Sequence, residues 1–240
     1  MISTRDLSGL PDIDDLKRLM QSMAMLDAIL SPEWGFRYYS FNSKWAKGEE
    51  MGSMRNGMGD DLCALFTKDG CFLKGFDHTA PMTPYAKRSQ RVWRGVLDSV
   101  PACFASGLNE PAFMMDDTTF CIWRQYDDNC WQCGKIKFPK TKLRFDGKPI
   151  DPDGSGDLLS PYDGKPETYL AWASDYFSRS KPLTLEHVRH VYAHKPLTAK
   201  LVKEINPKLT LAELAADITE INYPRRTENH QSRKRQRRGS

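Results

Sequence analysis

Asp69-Gly70, set between the apolar runs 62–66 (LCALF) and 71–76 (CFLKGF), constrains this chain more than any other feature. A tight hairpin turn needs positive φ, which glycine adopts without steric cost, so Asp-Gly between two such runs predicts a β-hairpin. The first run is apolar throughout rather than alternating, which predicts a central strand buried on both faces. Before it, residues 53–61 (SMRNGMGDD) are polar and glycine-rich and read as a loop. That loop can present backbone N–H groups and Arg55 to a partner. General loop behaviour favours a connecting loop with a turn at Asn56-Gly57 and local pairing by Asp60. A phosphate-binding loop is excluded, because G-x-x-x-x-G-K-[ST] is absent and a strand follows where a helix is required. After the hairpin come Asp77-His78 and a proline-bracketed loop, Pro81-Met82-Thr83-Pro84.

Residues 13–30 place Ile13, Leu16, Leu19, Met20, Met23, Leu26, Ile29 and Leu30 at three- and four-residue steps, predicting an amphipathic helix that Ser31-Pro32 ends. Its methionine-rich stripe reads as core, with a partner-binding face as the alternative. The aromatic stretch 34–45 predicts a strand around 36–41. Its interleaved aromatic and basic residues also fit nucleic-acid stacking, although half-buried strand aromatics explain them as well. Residues 86–95 are basic and irregular, and Pro101 opens a short helix reaching about Gly107. Residues 118–125 and 130–138 predict a second hairpin turning at Asp127-Asp128-Asn129, followed by a loop over 139–156. Helices are expected over 166–177, 184–193, 198–205 and 210–221, the last opened by the capping box Thr210-Leu211-Ala212-Glu213. The expected fold is α+β: mainly an antiparallel sheet of hairpins, with an N-terminal helix and a C-terminal helical segment. One domain is expected over 1–223, strand-rich over 34–138 and helical over 157–223.

At 240 residues with 40% hydrophobic and 28% charged content, the chain can bury a sizeable core. The polar, acidic start lacks the apolar region of a signal peptide, and no apolar run approaches a membrane span. Six cysteines without an export signal read as thiols in a reducing cytoplasm. The net charge of +4 conceals a division: residues 225–240 hold seven basic groups and one acidic, and the rest holds 28 basic and 30 acidic. The tail 224–240 is therefore expected to be disordered, with weak electrostatic binding of nucleic acid.

No complete catalytic or metal motif is present. Cys130-x-x-Cys133 lacks a second ligand pair, and on a strand its two thiols point to opposite faces. His187, His190 and His194 share one helical face but lack H-E-x-x-H. Residues 151–157 (DPDGSGD) resemble a calcium loop up to position 12, where Tyr162 stands in place of a bidentate Glu. Neither G-x-S-x-G nor a Cys/His motif is found. No metal and no cofactor are expected.

The motifs SMRNGMGDDLCALF, GCFLKGFDHTAPMTPY, GVLDSVP, EPAFMMDDTTFCIWR, PETYLAWASDYF and VYAHKPLTAKLV resemble a widespread, functionally uncharacterised family of bacterial proteins. The similarity spans about residues 10–223. The resemblance implies a cytoplasmic binding protein, with toxin-immunity proteins among the kinds it suggests, and it supplies no catalytic residues. The expected partner is another protein, a toxin being one candidate, with no membrane. The expected surface is Arg55 as a charge-assisted fork, Asn56, Asp60 and Asp77 as acceptors, His78, and Tyr85 as an anchor. The competing expectation is an enzyme acting on a small ligand or nucleic acid, with Asp60, Asp77 and His78 lining a pocket.

Overall fold

The computed structural model describes residues 1–86, 90–143, 147, 149–177 and 183–225. The basic tail beyond Arg225 lies outside them. The fold is α+β. One six-stranded antiparallel sheet runs in the order β1-β2-β3-β4-β5-β6, preceded by a long helix and followed by short ones.

Helix α1 (Ile13–Leu30) starts where Asp12 accepts a hydrogen bond from the Asp15 backbone N–H, with Asp14 and Asp15 in the positive first turn. All eight stripe residues are buried in the core, and so are Ala24, Met25 and Ala28 on other sides of the helix. The helix packs on strands β1 (Tyr39–Ala46) and β2 (Glu49–Arg55). It also packs against helices α5 (Leu185–Tyr192), α6 (Ala199–Ile205) and α7 (Ala215–Ile221). The stripe is core and not a free partner face.

The strand expected over 36–41 begins only at Tyr39, because Trp34–Phe36 forms a 3-10 turn. The loop expected over 53–61 is shorter than its composition suggests. Residues 53–55 complete β2, and only 56–60 turn. Within β2, a Cβ at Gly52 would sit 2.5 Å from Met20 Cε, so the glycine lets α1 lie directly on the sheet. A residue that weakens a strand locally is required by the packing.

The hairpin at Asp69-Gly70 forms as expected. Strand β3 (Asp61–Thr67) pairs with β4 (Gly70–Phe76), register Asp61↔Phe76 to Thr67↔Gly70. Strand β3 lies inside the sheet, with Leu62, Ala64 and Phe66 in the core beneath α1 and Leu65 in a second core on the opposite face. That second core also holds Phe72, Cys121 and Trp123 from the sheet. The irregular segment after β4 covers them with Met82, Val96, Phe104 and Phe113. Helix α2 (Ala105–Leu108) lies in this cover, preceded by a 3-10 turn after Pro101.

Strand β5 (Phe120–Gln125) is where the pattern placed it, but its partner β6 is only Gln132–Cys133, not 130–138. Beyond Cys133 the chain leaves the sheet because Gly134 packs against the Gly95 backbone, where any Cβ would collide with the Gly95 carbonyl oxygen. Helix α3 (Ser155–Leu159) begins inside the stretch read as loop. Helix α4 (Pro166–Tyr176) opens with proline at its first turn, as proline's fixed φ favours. The Thr210–Glu213 box forms, with Glu213 Oε2 accepting from Thr210 N at 2.7 Å. It closes a separate turn, and α7 starts at Ala215.

One carboxylate joins these layers. Asp27 of α1 is fully buried and accepts hydrogen bonds from Tyr38 N (2.8 Å), Tyr39 N (2.9 Å) and the α4 hydroxyl Tyr169 Oη (2.7 Å). Burial outweighs these bonds and pushes its pKa up to about 7.

Candidate functional site

Antiparallel pairing brings the end of β2, the start of β3, the end of β4 and the start of β5 to one end of the sheet. Arg55 ends β2, Asn56 and Asp60 lie in the short turn from β2 to β3, and Asp77, His78 and Tyr85 lie at the start of the long segment that joins β4 to β5. Asn56 shapes the β2–β3 turn: its side-chain oxygen accepts from Met58 N (2.8 Å) and Asp60 N (3.0 Å), and its Nδ2 donates to Asp60 Oδ2 (2.5 Å). Gly57 and Gly59 supply the positive φ this turn needs. The other oxygen of Asp60 reaches across to the loop after β4. It accepts from His78 N at 2.9 Å and lies 2.6 Å from His78 Nδ1. Asp77 turns the chain there, accepting from Thr79 N (2.7 Å), Thr79 Oγ1 (2.8 Å) and Ala80 N (3.1 Å).

Asn56, Asp60 and His78 therefore form one network, and Asp77 stands beside it without a hydrogen bond to it among the described residues. Ligand atoms of Asp60, Asp77 and His78 lie within 4.8 Å of one another, the one such grouping of three among the described residues. The other two expected residues stand apart from it. Arg55 is not in a fork with a carboxylate; its guanidinium lies 4.2 Å from the centroid of the Trp34 ring. Tyr85 is exposed, packs edge-on to Phe76 and donates to Asp117 Oδ1 at 2.5 Å, which holds its phenol above its usual pKa.

Sequence reasoning missed the charged pair beneath this surface. Lys74 is fully buried on β4, its ammonium 2.7 Å from Asp61 Oδ1 and donating to the Asp117 carbonyl at 2.8 Å. Burial raises the Asp61 pKa although Lys74 opposes the shift. A lone lysine in CFLKGF was the available signal, since a charge in a buried strand needs a partner. Trp34, the platform for Arg55, carried no signal of its own.

The Asp60 contact fixes the imidazole of His78 through Nδ1 and leaves Nε2 without a hydrogen bond among the described residues. Such a histidine can shuttle a proton, but it is exposed on the surface. A small open cleft of about 80 Å³ is lined instead by residues such as Trp34, Arg37, Tyr39, Ser53 and Asp217. Both Asp60 oxygens are occupied, Oδ2 by Asn56 and Oδ1 by His78, whereas the three donors to Asp77 all share its Oδ1.

The remaining motifs resolve into local contacts. Asp153 is buried, accepting from Thr4 Oγ1 and from Ser155 N (3.1 Å) and Oγ (2.7 Å), and burial raises its pKa. Asp151, despite burial, is held low by Arg5 at 2.7 Å and the Gly156 N–H at 2.6 Å. Protein donors thus occupy the Asp151 and Asp153 carboxylates. The three histidines do not converge, because α5 ends at Tyr192 and His194 takes positive φ. His187 caps α5 with Thr184, His190 Nε2 lies 3.2 Å from Pro196 O, and His194 Nε2 lies 2.8 Å from Arg18 O. All six cysteines are free thiols. No helix among the described residues is long and apolar enough to cross a membrane. Comparison of the chain with protein-family models, curated proteins and solved structures returns no match.

Proposed function

We propose that this chain acts in the cytoplasm by binding another protein through the loop end of its sheet. The observation that carries this reading is the set of large apolar side chains left exposed there on constrained backbone. Trp34 is 53% exposed beneath Arg55, Met58 is 76% exposed in the turn clamped by Asn56, and Tyr85 is 56% exposed and tied to Asp117. Aromatic, methionine and arginine side chains are those enriched at protein interfaces, and holding them still lowers the entropy lost on docking. The Asp60 and Asp77 carboxylates have internal partners, so a docking protein would not have to desolvate them unpaired. A toxin that the chain neutralises is the partner class suggested by the family resemblance.

A pull-down with tagged full-length chain, from cells that make it naturally, tests the reading. One stoichiometric partner is expected. Trp34→Ala and Tyr85→Ala should each weaken its binding about tenfold, as loss of an interface anchor does, with thermal midpoints unchanged. A partner retained equally by both variants, or variants that simply unfold, would defeat the reading. If the partner is toxic, co-expression with the chain should restore growth.

The His78 orientation supports a second reading, an enzyme using Asp60 to hold the imidazole. His78→Asn in the same panel separates the two. It would abolish turnover of any substrate while leaving capture by Trp34 and Tyr85 intact.

A further inference from the structure

We propose that a cleft beside this surface binds a phosphate-bearing ligand with a planar base, a nucleotide or a single-stranded nucleic acid. The cleft has a volume of about 560 Å³ and is lined by Thr83, Arg91, Trp93, Arg94, Lys135 and Lys137, among others. It lies between two irregular segments. Gly95 and Gly134 bring their backbones together, and Trp93 Nε1 donates to the Lys137 carbonyl at 3.1 Å. Alternation then sorts the side chains. Ile136 and Phe138 pack on the second core, and Lys135 and Lys137 are exposed.

Four cations therefore face one opening. None of their side chains forms an ion pair or hydrogen bond among the described residues. Asp98 is the one carboxylate of the lining. Outside the tail the chain has slightly more acidic than basic residues, so this is a local concentration and not a reflection of overall charge. Bringing like charges together without partners is unfavourable unless an anion is bound.

Thr83 adds an independent sign. Its hydroxyl is buried without a hydrogen-bond partner among the described residues, and Thr83 lines the cleft. A buried hydroxyl left unpaired is rare, and a phosphate oxygen would satisfy it. Trp93, half-buried against the second core and held by its indole hydrogen bond, is the aromatic side chain of the lining, and a base would stack on the part of it that lines the cleft. The volume falls within the range of small-ligand sites. An acidic peptide would use the cations but leave the tryptophan and threonine without a role.

The test uses the full-length chain and a labelled oligothymidylate of about twelve nucleotides, a length typical of single-strand sites. Binding is followed by fluorescence anisotropy and by the Trp93 indole N–H resonance, assigned with Trp93→Phe. The expected result is binding that weakens about tenfold in Arg91→Ala/Arg94→Ala, with a salt slope lower by about one to two, as loss of two phosphate contacts predicts. The Trp93 resonance should shift on titration. Displacement by adenosine monophosphate at similar affinity identifies a nucleotide as the ligand, and displacement only by oligonucleotides identifies a strand. Either result supports the cleft. Replacing the five basic residues of 233–238 by serine, in the full chain, separates the tail. Binding lost in that variant alone, with the cleft variant and the Trp93 resonance unchanged, overturns the proposal. So does tighter binding of polyglutamate than of the oligonucleotide, or no binding at low salt.

Discussion

Asp27 shows how far one residue can link distant parts of this chain. Its folded pKa of about 7 lies above the ordinary carboxylate value near 4. Between those pH values the folded state keeps a proton that the unfolded state has released. The resulting stability is therefore greatest below the unfolded pKa and falls as pH rises to about 7, then levels off. Asp27→Asn cannot ionise but keeps an acceptor for the Tyr38 and Tyr39 N–H groups. In urea unfolding between about pH 5 and 8 its midpoint should be flatter than that of the parent chain. Asp27→Ala should instead cost about 3 kcal/mol or more at any pH, because buried N–H groups and Tyr169 lose their acceptor. Equal pH slopes in the parent and Asp27→Asn would mean that Asp27 is not the titrating group. Asp27 and Lys74 could both be noticed in the sequence as single charges within apolar runs. Their partners could not, because Tyr169 and Asp117 are brought to them by tertiary structure alone.

Among the elements, those built by short-range chemistry were readable: the Asp69-Gly70 hairpin, α1 with its cap and stripe, and the proline-started α4. Those decided by distant atoms were not. Residues 53–55 look like loop until they pair with β3, and β6 looks long until Gly134 meets Gly95. The candidate site divides in the same way. The polar turn residues were visible as types, whereas the stacking of Arg55 on Trp34 needed a fold. The Gly134 contact can be tested directly. Gly134→Ala forces the two backbones apart and should lower stability by about 1–3 kcal/mol in denaturant unfolding, as overpacking does. It should also speed exchange of the Trp93 indole N–H by weakening its bond to Lys137. Gly35→Ala, where a new Cβ meets nothing within 4 Å, is the control and should change neither. Equal stability in the two variants would show that the chain leaves the sheet for another reason.

For the whole molecule, the position of α1 ties the sheet to the C-terminal helices. One core beneath it draws on β1, β3, β4, β5, α4, α5, α6 and α7 together. Helical signal by circular dichroism and tryptophan fluorescence should accordingly give coincident unfolding transitions. Two separated transitions would mean that the helical segment after residue 157 holds its own stability. The α+β arrangement was readable at this scale because strands precede helices along the chain, but the enclosure of α1 was not, since its cover comes from residues near the other terminus. That enclosure also sets an order in time. On the ribosome α1 is complete at Leu30, the consecutive strands can then zip onto one another locally, and the last helix covering α1 ends only at Ile221. The helix made before the sheet is thus the last of these elements to be fully covered, and its methionine-rich surface stays open to chaperones, or to other copies of the chain, until Ile221 has been made.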